Sequence, residues 1–585
     1  MNRIEKEYDV AVIGGGLAGL CCAIASARAG ARTALIQNRP MLGGNASSEI
    51  RMHICGADHH GTRPNARETG ILEEIFLEHK HRNPENVWSI FDAILWEKAA
   101  FQENLTLYLN THVTEVETEV VPVADAIHPY ERRIKRVHAV QLTSETKFTF
   151  SARIYVDATG DATVAEQAEA EILKSKETMG NTLMFKARDM GHPVRFIQPF
   201  LAYSFTEEDM AGRDHREISS GYWWIELGGG EMDTIFDAEK IRDELLKSVY
   251  GVWDHIKNGG QHGAENYELE WVGFLPGKRE SRRILGDYQL REEDCLLGSR
   301  FEDTVAYGGW PIDVHTIDGF TNLQMPPNHT QLMKDVYAIP YRCYYSRNIE
   351  NLMMAGRDIS ASPGAFASSR VMATCAVGGQ AVGEAAAIAV RYGITPRQVG
   401  QERIHELQQR LIRQDVYLPG IVYDDSTDPL TKAAITSSPA LPGAGPENLI
   451  SPYTRTVGEE GNFFQSVSEN GWIRFELQEP SSIRELQILL DSNLSKQLTI
   501  SLSEYQLQRE PAGTPPELIR GLSCAFLLKG ETIQKTEIKD NYFRDVRIIP
   551  ESPAQTDEIR IEFSGTYGTH TPKIFGVRAR QGGGS

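Results

Sequence analysis

The sequence predicts an α/β protein: a Rossmann-like dinucleotide-binding domain, split by an inserted α+β substrate domain and followed by an all-β sandwich. Three observations predict it. A glycine cluster closes an apolar run at residues 8–19, a strand-to-helix passage rich in small residues occupies 351–387, and apolar and polar residues alternate in short runs beyond 430. At 585 residues the chain is too long for one ordinary core, and its length suggests three or four folding units. The three passages reduce this to two cores and an inserted region.

The first core begins at Tyr8 to Ile13 (YDVAVI), an apolar run bounded by charge that suits a buried parallel strand. It leads into Gly14-Gly15-Gly16-Leu17-Ala18-Gly19, a helical stretch from Leu20 to Ala29, and a second strand from Arg32 to Ile36. G-x-G-x-x-G in a strand–turn–helix–strand setting signals dinucleotide binding. Gly14 allows the tight turn, Gly16 lets backbone N–H groups approach a pyrophosphate, and Gly19 lets the helix lie close on the sheet. The helix N-terminus then faces the phosphate charge. The residue ending the second strand is usually acidic and binds ribose hydroxyls. Here it is Gln37, which accepts a hydroxyl hydrogen bond without the charge.

Further along stand Arg39-Pro40-Met41-Leu42-Gly43-Gly44-Asn45, then Asn104 to Val116 (NLTLYLNTHVTEV), Ala152 to Ala162 (ARIYVDATGDA) and Asn351 to Ala387. With the first motif these segments resemble the glutathione-reductase-type FAD fold. The passages GGNASSEIRMHICGADHHG, RESRRILGDY, GGWPID and IPYRCYYSRNIENLMMAGRDIS resemble the FAD-dependent oxidoreductase family of bacterial flavoproteins, over about residues 5–420. The resemblance implies bound FAD and redox chemistry without naming a substrate. It places Gly14, Gly16, Gly19, Gln37, Asn38, Arg39, Gly43, Gly44 and Asn45 along the cofactor, with Val113 beside the adenine. It adds Gly160, Asp161, Gly356, Arg357 and Asp358, the last acidic group facing the ribityl chain, and Ser369 as a hydrogen-bond donor. The helix after Asp358, read as one long element, should aim its N-terminus at the flavin edge.

On this reading the FAD-binding domain comprises 1–165 and 346–420, with a helix-like insertion from Arg67 to His79. The inserted substrate domain spans 166–345, with aromatic strands at Tyr222 to Leu227 and Glu268 to Leu275 and a helix at Asp237 to His255. Leu430 to Pro446 is rich in Ser, Thr, Pro and Gly. Beyond it, period-2 patterns at 471–477, 483–490, 497–502, 544–549 and 558–563 predict an antiparallel sandwich over 430–580. KAAITSSPALPGAGPENLI, NGWIRFEL and KIFGVRA resemble the discoidin-like or galactose-binding jelly roll, modules that often bind sugars; a structural appendage is the alternative. Residues 581–585 (QGGGS) read as a flexible linker or tag remnant.

Composition removes several function classes. With 80 acidic and 60 basic residues the formal charge is −20, which disfavours nucleic acid and anionic membrane surfaces. No stretch is expected to approach the roughly 18 apolar residues a membrane span needs, and the N-terminus has no apolar signal region, so a cytoplasmic location is expected. The seven cysteines contain no C-x-x-C, which argues against structural zinc, an iron–sulfur cluster and a disulfide framework. No second G-x-G-x-x-G stands in a strand–turn–helix setting, so electrons pass between flavin, a small-molecule substrate and an acceptor outside the chain. A homo-oligomer is expected on general grounds only.

Three segments are candidates for the chemistry. Ser48 to Gly61 carries His53, Cys55, His59 and His60; His53 is a candidate for proton transfer, and His53 or Cys55 for covalent flavin attachment. A metal site there lacks a helical i, i+4 pair, so no metal is expected. Tyr307 to His315 is a shaped loop in which Asp313 and His315, two apart, share a face if extended, so that the carboxylate orients the imidazole; His329 is a weaker candidate. Lys278 to Arg283 sets arginines around Glu280, either as an anion site or an internal network, and Arg370 is placed to hold substrate or stabilise reduced flavin. The expected activity is a dehydrogenase or oxidase of a hydroxylated small molecule such as a sugar or glycoside, passing hydride to flavin N5 with a His base. The alternatives are reduction of an activated C=C bond in a carboxylated substrate, and a non-enzymatic flavin-binding assembly protein.

Overall fold

The computed structural model describes residues 1–122, 130–176, 178–317 and 319–582. Val10 to Ile13, apolar on both faces, can be buried only as a central strand, and all four are buried. The sheet around them comprises β1 (Asn2–Ile13), β2 (Thr33–Ile36), β3 (Leu105–Tyr108), β4 (Thr111–Val120), β5 (Arg132–Gln141), β6 (Thr146–Asp157) and β7 (Leu352–Met354). Its order is β3-β2-β1-β6-β5-β4, with β7 beside the end of β6. β3, β2, β1, β6 and β7 run parallel, while β4 and β5 form an antiparallel pair on the first half of β6. Ile13 is level with both Ile36 and Asp157, and Asp157 with Met354, so the carboxyl ends of four strands share one edge. The strand expected across 104–116 is broken in two, because Asn110 turns the chain at φ +52°.

The helix Leu17–Arg28 crosses the helix Met372–Tyr392 at backbone distance. A Cβ on Gly379 would strike the Ala18 carbonyl oxygen, and one on Gly383 that of Cys22. Contrary to the expectation that no stretch approaches a span, Met372–Tyr392 is long and apolar enough to cross a membrane by length and composition. It is a core helix: 94% of its most apolar window is buried inside the fold. The single helix expected after Asp358 is two, Pro363–Ser369 and Met372–Tyr392, with the break at Arg370 and Val371.

In the inserted region the helix Ala238–Asn258 packs Ile241, Leu245, Val249, Val252 and Trp253 against Phe185, Tyr222, Ile225 and Phe320. The expected strand Tyr222–Leu227 shrinks to Glu226–Leu227. Tyr222 and Phe320 stack on the two sides of Trp224, and the Trp224 indole N–H donates to the Asp214 carbonyl, so ring packing replaces a ladder.

Chain contacts divide the protein into two units: 1–59, 86–407 and 499–509; and 60–85, 408–498 and 510–585. The expected domain boundaries therefore shift. The helix Ile71–Arg82 groups with the C-terminal sandwich, while 499–509 groups with the first unit. The reason for the first shift is ionic. Arg67, 2% exposed, pairs with Glu73 through two bonds of 2.7 and 3.0 Å and donates to the carbonyls of Ser492 and Asn493. Lys80 meets Glu510 at 2.8 Å, both buried.

The sandwich is antiparallel throughout, and its longest strand, Gly471–Leu490, merges two expected ones. Its pairing with Ala554–Thr566 skips from Glu476 to Ser481, which accommodates Pro480 without a missing ladder bond. The expected strand at 497–502 does not form; Gln497 to Ile500 are all buried, which alternation cannot give. The hairpin Ile519–Leu528 and Glu531–Ile538 was not foreseen, because its second strand is mostly polar. Its turn, Lys529-Gly530, has both φ positive, as a two-residue hairpin loop prefers. Gln581 ends the last strand and Gly582 donates to the Ser482 carbonyl, so neither is linker; 583–585 lie outside the described residues.

Arg67→Met should lower the stability of the C-terminal unit by about 3–5 kcal/mol, because it strands the buried Glu73 carboxylate. A urea titration followed by circular dichroism reads this, and Arg67→Met/Glu73→Leu should recover part of the loss.

Candidate functional site

At the shared strand edge the first glycines make the loop. Gly14, at φ +111°, donates to the Ile36 carbonyl at 2.8 Å, and a Cβ there would strike Ala158. A Cβ on Gly19 would strike the Gly14 carbonyl, whereas one on Gly16 would meet nothing within 4 Å. Gly16, half-buried, thus borders open space beside the loop. Gly43 donates to Gly15 at 2.8 Å and bridges to Gly16, so the two glycine motifs lie against each other. Gly44 closes the same turn at φ +60°.

Gln37 follows β2 and turns its side-chain amide to the loop backbone. Its Oε1 accepts from Gly15 N–H at 2.9 Å and its Nε2 donates to the Met41 carbonyl at 3.0 Å, so the amide braces the loop. Asn38 is exposed, Arg39 pairs with Glu49 at 3.3 Å, and Asn45 donates to the Lys278 carbonyl at 3.0 Å. Val113 is buried near the start of β4.

Past β6 and β7 the edge becomes acidic. Asp157 accepts from the backbone of Thr159, Val164 and Ala165, fixing the turn that holds Gly160. Asp161 is gripped by Arg357 at 2.6 Å and Lys278 at 2.7 Å. Burial opposes its ionisation, but those two cations override it and hold the carboxyl well below the usual range. Asp358, two residues beyond Gly356, is fully buried, and among the described residues neither carboxylate oxygen has a hydrogen-bond partner. Burial pushes its carboxyl well above the usual range, and Asp157 adds to the rise. The hydroxyls of Ser47 and Ser369 are likewise buried without partners among the described residues. A buried acceptor left unsatisfied costs about 1–3 kcal/mol, more when charged. These orphans, with the open Gly16 cradle, fit a hydroxyl-bearing dinucleotide.

A second cluster gathers segments distant in sequence. Ile312–His315 forms a short strand that puts Asp313 and His315 on one face, with His315 Nε2 at 3.2 Å from Asp313 Oδ2. Nδ1 of His315 meets both oxygens of Glu226 at 3.0 and 3.1 Å. Arg279 pairs with Glu226 at 2.7 Å, and Arg370 donates to the carbonyl and carboxylate of Asp313 at 3.1 and 3.2 Å. Burial opposes ionisation of Asp313, but His315, Arg370 and Asn328 outweigh it and hold its carboxyl low. Trp223 lies edge-on to His315 with ring centres 5.1 Å apart.

The loop after Gly44 reaches this cluster. A Cβ on Gly309 would meet Ala57 at 2.8 Å, and the Cys55 carbonyl accepts from Ala373 N–H at the start of the core helix. Burial pushes the Cys55 thiol up, with Arg370, Asp313, Asp58 and Arg279 near enough to act on it. Burial pushes His53 down to about 4, so its imidazole is neutral near pH 7. His329 does not join: it is exposed opposite Val314, and its neighbour Asn328, opposite His315, reaches Asp313 at 2.6 Å. The arginine run divides, Arg279 entering the cluster while Glu280 pairs internally with Arg283 at 2.5 Å. Glu226 was missed from sequence; its one signal is a lone acid within the aromatic run 222–227.

The model of the FAD dependent oxidoreductase family matches residues 9–216 and 185–411, most of the chain. The chain belongs to this family. As a FAD dependent oxidoreductase it takes FAD as cofactor, which sets aside the non-enzymatic alternative. The residues that would hold it are those at the strand edge: the Gly14–Gly19 loop at the phosphates and Asp358, Ser47 and Ser369 at polar groups. No curated protein matches the chain. Among solved structures it is similar to a geranylgeranyl bacteriochlorophyll reductase-like protein from Thermoplasma acidophilum, at 12% identity over 70% of this chain and 86% of that one, TM-score 0.33. The family 32 carbohydrate-binding module of Streptococcus pneumoniae EndoD matches at 12% identity over 26% of this chain and 99% of that one, TM-score 0.21. The family 32 module of C. perfringens NanJ in complex with galactose matches at 10% over 26% and 97%, TM-score 0.19.

Asp358→Ala should weaken FAD binding about fivefold, since a typical hydrogen bond contributes roughly 1 kcal/mol; titration of the FAD-free protein with FAD measures it. The FAD-free protein should also lose stability as pH rises from the ordinary carboxylate range towards the raised value of Asp358. In that window the folded chain keeps a proton that the unfolded chain has released, so the slope is negative. Unfolding titrations at several pH values should show this slope reduced in Asp358→Asn.

Proposed function

We propose that this FAD dependent oxidoreductase oxidises a neutral, hydroxylated small molecule such as a sugar or glycoside, with His315 taking up the hydroxyl proton. The observation that carries the reading is the charge pairing around His315. Arg279 and Arg370 are neutralised by Glu226 and Asp313, which makes the cluster a poor anion site and a good place for a polar, uncharged substrate. The same pairing counts against a carboxylated substrate that would need one of these arginines.

Alcohol oxidation separates a hydride from a proton. Bound FAD supplies the acceptor for the hydride. The proton goes to the His315–Asp313 pair: Glu226 holds Nδ1–H of His315, and the substrate hydroxyl takes the place of Asp313 Oδ2, now 3.2 Å from Nε2, to deliver its proton to the ring. Two carboxylates flanking one imidazole stabilise the imidazolium that results. Arg279 and Arg370 keep those carboxylates in place, and Trp223 closes one side of the ring. His53, neutral near pH 7, adds a donor or acceptor from the neighbouring loop.

Anaerobic mixing with a panel of sugars and glycosides should bleach the flavin absorbance for at least one of them. His315→Asn should slow that bleaching about 10²–10⁴-fold with FAD content unchanged, the range for losing a general base. No bleaching across the panel, together with reoxidation of the reduced enzyme by an enoate, would overturn the reading in favour of C=C reduction.

A further inference from the structure

Away from the His315 cluster, the inserted region holds a second convergence of titratable side chains. His255 stands in the last turn of the helix Ala238–Asn258, and His262 follows seven residues later, past the turn at Gly259 and Gly260. Glu207 and His215 come from the preceding loop. One ligand atom from each of the four lies within 4.8 Å of all the others. His255 Nε2 is 2.9 Å from Glu207 Oε2 and 3.1 Å from His262 Nε2; His262 Nε2 and His215 Nε2 are each 3.5 Å from a Glu207 oxygen.

The hydrogen bonds around the outside decide what these atoms present. Nδ1 of His215 lies 2.7 Å from the Arg213 carbonyl, and Nδ1 of His255 lies 3.2 Å from the Phe205 carbonyl. A carbonyl only accepts, so both Nδ1 atoms carry the hydrogen and both neutral rings turn the Nε2 lone pair inward. Lone pairs then meet one another and a carboxylate at contact distance, an arrangement that repels unless positive charge sits among them. A tetrahedral zinc ion with bonds of about 2.0–2.1 Å sets its ligand atoms about 3.3 Å apart, and the four short separations, 2.9 to 3.5 Å, bracket that spacing. Imidazole Nδ1–H groups fixed on backbone carbonyls are the usual support of metal-bound histidine. The last turn of the helix adds the negative end of its dipole.

We propose that Glu207, His215, His255 and His262 form a closed four-ligand site for one zinc-class divalent cation. Three imidazoles and one carboxylate favour zinc over magnesium or calcium. The site is structural: all four positions are protein ligands, leaving none for substrate. It clasps the loop 206–215 to the end of the helix and to the Gly-rich turn beyond it. His215 and His255 are buried while the Glu207 side chain is 52% exposed, which gives the ion a way in. The spacings, Glu-x7-His and His-x6-His, match no short metal motif, so the site is invisible to motif reading.

The test uses the full-length FAD-loaded protein, stripped with chelator, re-equilibrated with zinc or cobalt(II), and desalted. Wild type should retain one zinc per chain, and cobalt should give tetrahedral d–d bands on the red side of the flavin absorption. His255→Asn and His262→Asn should each weaken retention more than tenfold, with FAD content and circular dichroism showing that the fold survives. Wild type that binds FAD but retains no zinc and shows no cobalt bands would overturn the proposal. So would a folded variant that keeps its zinc, or a thiolate-to-cobalt charge-transfer band placing the ion on cysteine. The wild-type cobalt titration decides the matter even if both variants fail to fold.

Discussion

Everything the first unit does hangs on the parallel register that levels Ile13, Ile36, Asp157 and Met354. Parallel strands point their carboxyl ends the same way, and the loops leaving those ends have to share one edge. Here the edge collects the glycine loop after β1, Gln37 after β2, the Asp157–Asp161 turn after β6 and the Gly356–Asp358 turn after β7. Shift β7 by one residue and Asp358 would leave the edge and expose a different face, because side chains alternate along a strand. The close crossing of Leu17–Arg28 on Met372–Tyr392 locks this register from one side, and only glycine at 379 and 383 permits it.

The His315 cluster obeys a second constraint, charge balance in a dry place. Isolated buried charges cost several kcal/mol each, so they occur in pairs. The cluster is assembled as such: Arg279 with Glu226, Arg370 with Asp313, and His315 between the two carboxylates. The proposed substrate chemistry rests on this balance, which leaves His315 as the one imidazole between the paired charges. Asp358 lies outside this pairing, buried with neither carboxylate oxygen bonded among the described residues.

Much of this was legible from local pattern. Gly14, Gly16 and Gly19 announce themselves because strand, turn and helix are contiguous, and the i, i+2 spacing of Asp313 and His315 needs only an extended backbone to bring them together. What stayed hidden depends on pairing across long stretches of chain. Glu226 gains meaning only from His315 and Arg279, and Gln37 from the Gly15 N–H that claims its carbonyl. The helix Ile71–Arg82 reads as part of the first domain until Arg67 meets Ser492 and Lys80 meets Glu510. The misread strand at 497–502 shows the reverse failure, a period-2 pattern in a segment buried on all sides.

The division of the first sheet between the two ends of its chain also sets a timetable for synthesis. β1 and the helix Leu17–Arg28 leave the ribosome long before the glycine-bearing face of Met372–Tyr392 exists. At about 5–20 residues per second, the intervening 343 residues (372 less 28, less one) take on the order of 20–70 s. Throughout that interval Ala18, Cys22 and Ala25, which meet Gly379 and Gly383 in the finished protein, lack that partner. The nascent chain therefore presents an apolar surface for tens of seconds, which makes it a natural client for chaperones that hold hydrophobic segments until translation is complete.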